Sequence, residues 1–182
     1  MEVLAPYLPY GLKCRVPFKD GYYNSPKLLA PQNITYAGDN KWLPILRPLS
    51  HLTKEIDLGF VPMKKLIELQ ETNFFSKDPV IKNCSVNFKV NIIDCKSNTY
   101  SDKHVEHTVR YTQETSNMGT LVNSFTYSEH FNRFSKRDDT RQITLGIGHQ
   151  LELFQCLFEW HFDVFGLIEQ GLAIDINPLT NK

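Results

Sequence analysis

At 182 residues, with 41% hydrophobic and 12% aromatic side chains, the chain suits one domain with a real core, which excludes a disordered or low-complexity polypeptide. Twenty basic side chains balance twenty acidic ones, so no net field draws in nucleic acid or an anionic membrane. The balance is uneven along the chain, with 12 basic and 8 acidic groups in residues 1–91 and 8 and 12 in residues 92–182.

The first 60 residues are punctuated by Pro6, Pro9, Pro17, Pro26, Pro31, Pro44 and Pro48, which break helices and cannot donate to a ladder. Short strands are expected there at residues 12–16, 34–36 and 43–46, with a helical turn at 50–56. Pro62 suits a first helical position, and residues 63–72 follow it as a helix with Leu66, Ile67 and Leu69 partly buried. Strict apolar–polar alternation predicts strands at 85–92 and 105–111, separated by a polar loop at 94–101. Weaker strands are expected at 121–127 and 143–147.

Residues 150–170 sort on a helical wheel into a polar stripe (Glu152, Gln155, Glu159, Asp163, Gly166, Gln170) and a wide apolar arc. That pattern predicts a long helix at the centre of the fold, closed by Gly171 as a left-handed cap and followed by a final strand at 172–176. The expected class is α+β: an antiparallel sheet covered by a long amphipathic C-terminal helix, with a Pro-rich N-terminal region of short strands and one helix. It reads as a single domain, 1–182, with subregions 1–77 and 78–182.

The residues show no coherent catalytic constellation, and no cofactor is expected. Cys14, Cys84, Cys95 and Cys156 are far apart and form no Cys-x-x-Cys pair, so neither a disulfide framework nor a zinc site is expected. Without a basic-then-apolar leader or a long apolar run, the chain reads as soluble, reduced and cytoplasmic. His104 and His107 point to opposite faces of a strand and cannot chelate together. His161 falls in the apolar arc and reads as a hydrogen-bonded core residue. Glu152, Glu159 and Asp163 share a face where a cation could bind, but they read first as a solvated stripe. Gly146-Ile147-Gly148-His149 lacks the endings of a phosphate loop.

The segment 129–141 interleaves Phe131 and Phe134 with Arg133, Lys136, Arg137 and Arg141. It reads as a charged loop between strands. As a functional surface it suits protein contact better than nucleic acid, since Asp138 and Asp139 repel phosphate.

Three blocks carry a resemblance: residues 4–13 (LAPYLPYGLK), 45–56 (ILRPLSHLTKEI) and 159–177 (EWHFDVFGLIEQGLAIDIN). They resemble, in order, an uncharacterised protein family of Bacteroidetes phages, prophages and mobile elements. Gln170 and Pro178 depart from the pattern, and residues 71–147 match nothing in it. The resemblance carries no catalytic residues. It implies a phage-borne protein in a bacterial cytoplasm that binds a host protein, as inhibitors of RNA-guided CRISPR effectors do, including type VI-B RNases. A nucleic-acid-binding accessory factor, with RNA as a contact, and a metal-dependent enzyme remain the alternatives. The shared ends would form a scaffold and the middle a specialised surface.

Overall fold

The computed structural model describes residues 2–18, 21–22, 26–30, 42–76, 90–101, 104–115 and 119–177. They divide into two compact units, Met1–Leu49 with Phe154–Lys182, and Ser50–Leu153. Both ends of the chain therefore share one unit, and the middle forms the other. The expected strand at 34–36, most of that at 85–92, and Cys84 lie outside the described residues.

In chain order the strands are β1 (Lys13–Arg15), β2 (Pro17–Phe18), β3 (Gly21–Tyr22), β4 (Lys27–Leu28), β5 (Leu43–Leu46) and β6 (Val90–Ser101). They continue with β7 (His104–Thr115), β8 (Gly119–Ser128), β9 (Arg133–Asp138), β10 (Ile143–Leu145) and β11 (Ile174–Asp175). Helix α1 spans Pro62–Ser76 and α2 spans Gln150–Glu159.

The first unit opens on a 3-10 helix, Glu2–Tyr10, with Pro6 and Pro9 inside it. Neither proline can donate a ladder bond or fit a regular α-helical interior, so a tighter turn forms. Gly11, at φ +72°, ends it. A mixed sheet follows in the order β11-β5-β1-β4, with β11 parallel to β5 and the other pairs antiparallel. Leu4, Tyr7, Leu12, Cys14, Leu29, Leu46, Leu167 and Ala173 form the core. Burial pushes the Cys14 thiol up to about 12, so it packs as an inert small hydrophobe.

The long C-terminal helix does not form. Helix α2 stops at Glu159 after ten residues. His161 adopts φ +56°, its N–H donates to Phe158 O (3.0 Å), and Phe162 N–H donates to Leu157 O (2.8 Å). This is a Schellman cap with histidine where glycine usually stands, and its apolar pair, Leu157 and Phe162, is fully buried. Phe162 then bridges Arg47 in parallel, with Arg47 N–H donating to His161 O and Asp163 N–H to Arg47 O, both at 2.8 Å. Gly171 is left-handed (φ +69°), but it closes a turn rather than a helix. The fold is accordingly mixed α/β, not an antiparallel sheet under one long helix.

The second unit joins α1 to a five-stranded meander in the order β10-β9-β8-β7-β6, each neighbouring pair antiparallel. Helix α1 begins at Pro62 and buries Met63, Leu66, Ile67 and Gln70, one face at helical spacing. Two expected loops are strands. Residues 94–101 belong to β6, whose polar side chains suit an edge strand exposed to water. The segment 133–138 is β9, paired with β8 from Arg133 opposite Ser128 to Asp138 opposite Asn123.

The sheet's inner face is unusually polar. His107, Gln113, Asn123 and Asp138 are buried alongside Val109, Tyr111, Phe125 and Tyr127. Each of those polar groups has a partner: Asn123 Nδ2 donates to Gln113 Oε1 (3.2 Å), and Asp138 Oδ1 accepts from the N–H groups of Thr140 and Arg141 (both 3.0 Å). Glu71 of α1 accepts from the Tyr111 hydroxyl (2.8 Å) and from Lys136 Nζ (2.5 Å) on one oxygen, Oε1. Burial, reinforced by that carboxylate, pushes the Tyr111 hydroxyl far above its ordinary range.

Candidate binding surface

Strand alternation divides the six residues read as a contact surface. Phe134 and Lys136 turn inward and leave the surface. Phe134 is buried between Phe125 and Tyr127, at ring distances of 5.6 and 4.8 Å. The Gln150 side chain covers its open backbone edge, accepting from Phe134 N (3.0 Å) and donating to Phe134 O (2.6 Å). Lys136 is committed to Glu71. Arg133 and Arg137 point outward from β9. Arg137 bonds to Gln142 and lies 3.6 Å from Asp139, and Arg141 lies 3.7 Å from Asp138, so both are tied to their own turn.

Arg133 and Phe131 have different company. The β6–β7 connection and the β8–β9 turn lie at the same end of the sheet, because Glu106 of β7 pairs with Ser128 of β8. Five side chains gather there. His104 lies 5.1 Å from Tyr100, 5.4 Å from His130 and 5.7 Å from Phe131, ring centre to ring centre. His130 meets Phe131 edge-on at 4.7 Å, and the Arg133 guanidinium sits 4.8 Å over the Phe131 ring. Tyr100 is 62% exposed and Phe131 53% exposed.

The turn that carries these rings is braced from beneath. Glu129 N–H donates to Val105 O (3.0 Å), and Asn132 takes the left-handed conformation (φ +46°) that asparagine tolerates. The buried Tyr127 hydroxyl donates to Asn132 Oδ1 (2.7 Å). Buried His107 spans from Ser97 Oγ (2.8 Å at Nδ1) to Glu129 Oε1 (2.5 Å at Nε2). Glu129 and Glu106, the latter 3.3 Å from His104, set two carboxylates beside the rings. Chemically this is a preorganised aromatic surface with one cation and an acidic flank.

Comparison with family models, curated proteins and solved structures finds no match.

Composition exposed Phe131 and Arg133 in the sequence, but Tyr100, His104 and His130 lie in other segments and join them only through hairpin register. The alternation at 105–111 marks a strand and its two faces but not its register, which the pairing of β7 with β8 supplies.

The acidic stripe is dispersed. Glu152, 3.3 Å from His149, and Glu159 lie exposed on α2. Asp163 lies past the helix end and is 4% exposed, with Leu167 N–H on Oδ1 and Ile168 N–H on Oδ2, both at 2.8 Å. It is a structural cap. No described helix is long and apolar enough to cross a membrane.

His161 is half-buried and donates to Tyr10 O (3.0 Å) when Nε2 carries the proton. Burial, aided by the nearby positive charges of Arg47 and Lys13, holds its pKa below the ordinary value of 6.5 despite that bond. The neutral ring is thus the folded form. Stability is complete above the unfolded value and falls as pH drops from there towards the depressed folded value. His161→Asn keeps a donor and tolerates positive φ. Thermal unfolding between pH 7 and 5 should therefore slope less steeply in that variant than in the parent; equal slopes would assign the pH dependence elsewhere.

Proposed function

We propose that this chain is a non-enzymatic binding protein that docks on a host protein through the Tyr100–His104–His130–Phe131–Arg133 surface. Its target is a bacterial defence effector of the RNA-guided type, such as a type VI-B RNase, met in the host cytoplasm. The observation that carries the reading is the exposed ring cluster with a guanidinium stacked on it, held on a braced turn. Aromatic side chains and arginine supply most interface hot spots, and side chains fixed before contact lose little entropy on binding.

The resemblance supplies the setting. The first and third blocks lie in the first unit together with residues 45–49 of the second, and there His161 bonds Tyr10 O and Phe162 bridges Arg47. The unmatched middle contains the ring surface. That division supports a shared scaffold carrying a specialised contact.

The test uses a purified type VI-B effector loaded with guide RNA. Calorimetry should detect a complex, and RNase activity should fall as it forms. Phe131→Ala and Arg133→Ala should each weaken binding at least tenfold, while Ile143→Ala, exposed at the far edge of the sheet, should not. No complex, or one indifferent to both substitutions, sinks the proposal. The Arg133–Phe131 stack also favours a second reading, bases of single-stranded RNA held on the rings. Glu106 and Glu129 oppose it, and affinity falling steeply with added salt would be its signature.

A further inference from the structure

Strand β6 runs 12 residues, about twice an ordinary strand, along the outer edge of the five-stranded sheet. No described strand pairs with its outer side. It carries exposed Ile93, at the register shift between Ile92 and Asp94, and exposed Tyr100. A long open edge offers a row of backbone donors and acceptors that another strand can complete.

Its charges select the partner. Asp94 and Lys96 share a sheet face, and Lys96 Nζ lies 2.6 Å from Asp94 Oδ2. The hydrogen bond from Lys96 holds the Asp94 carboxyl below its ordinary range, which favours its charged form. Consider two copies of β6 paired antiparallel about a two-fold axis perpendicular to the sheet. Facing side chains then stay on one face, so the axis must pass through a residue. Centred on Asp94, the pairing sets aspartate against aspartate. Centred on Lys96, it sets lysine against lysine. Centred on Cys95, it sets Asp94 of each copy against Lys96 of the other, twice. Among these registers only the one through Cys95 is self-complementary.

We infer that β6 pairs with β6 of a second copy of this chain, antiparallel about Cys95, joining the two sheets into one. Side chains facing each other across such a pair lie about 4.5–5.5 Å apart at Cβ, which brings the two Cys95 thiols into reach of a short cross-linker.

Sedimentation velocity over a concentration series should show a monomer–dimer equilibrium. Asp94→Lys or Lys96→Asp alone sets like charges face to face and should weaken the dimer roughly tenfold or more. The double exchange D94K/K96D restores opposite charges and should recover it. Both side chains are substantially exposed, and unchanged circular dichroism would show that the variants fold. A short bismaleimide, which adds one thiol at each end, should trap a covalent dimer in the parent and not in Cys95→Ser. A monomer at all concentrations overturns the inference. So does a dimer that survives the single reversals, or one that the double exchange fails to restore.

Discussion

Replacing Lys136 with methionine should lower the unfolding free energy by about 3–5 kcal/mol, because it strands a buried carboxylate. The Glu71 side chain is 2% exposed and that of Lys136 11% exposed, with the ammonium 2.5 Å from Oε1. In the variant the Tyr111 hydroxyl alone, among the described residues, still serves the carboxylate charge. Glu71→Leu should cost less, since the lysine it abandons lies nearer water and can extend towards it. The triple variant Glu71→Leu, Lys136→Met, Tyr111→Phe removes every charge and the orphaned hydroxyl together. It should recover most of the loss, because a well-packed apolar replacement of a buried pair is often neutral or stabilising. Urea unfolding of the four proteins, compared at unchanged m value, measures this directly. A Lys136→Met loss below about 1 kcal/mol would mean that the carboxylate reaches water or neutralises cheaply. A triple variant as weak as Lys136→Met would mean that the network specifies how α1 sits on the sheet.

That network also shows where sequence reasoning reaches its limit. Pro62 and the apolar residues at helical spacing locate α1, and alternation locates the middle of β7. These are signals within one segment. Lys136 and Phe134 looked like surface residues because basic and aromatic side chains crowd 131–141. Their burial follows from β9 being a strand, in which Arg133 faces out and Phe134 in. A strand whose inward positions are Phe, Lys and Asp shows no apolar alternation, and its lysine becomes an interior residue only because Glu71, 65 positions earlier, meets it. β6 was hidden for a related reason: an edge strand needs no apolar face, so 94–101 had the composition of a loop. The ring surface needed both facts, since β6 supplies Tyr100 and the β8–β9 turn supplies Phe131.

The false long helix has a local cause that helical periodicity ignores. From Trp160 to Gly166 every residue belongs to the weaker half of the helix-forming scale, and the run ends in glycine. Spacing placed Asp163 on a water-facing stripe below Glu159. Side-chain chemistry argued otherwise, because aspartate competes for backbone N–H groups and favours caps over helix interiors. In the structure that competition prevails. One carboxylate oxygen takes Leu167 N–H and the other Ile168 N–H, and the turn they fix delivers Leu167 to the core beside Leu4, Tyr7 and Leu12.

Asp163→Ala should therefore destabilise the protein by about 2–4 kcal/mol. It removes two charge-assisted bonds and leaves the Leu167 N–H buried without its acceptor. Asp163→Asn keeps one acceptor oxygen but turns an amide N–H towards the second donor, so its loss should be intermediate. Asp163→Glu retains the charge on a longer stem that cannot reach both N–H groups in the same turn, and should rescue little. A solvated-stripe residue would give the opposite ranking: all three substitutions within about 0.5 kcal/mol of the parent, with glutamate the mildest. Thermal unfolding of the three variants separates these outcomes. Ring-current shifts of the Tyr7 and Phe165 protons would add a local readout, since those rings meet edge-on at 6.2 Å above the turn that Asp163 holds.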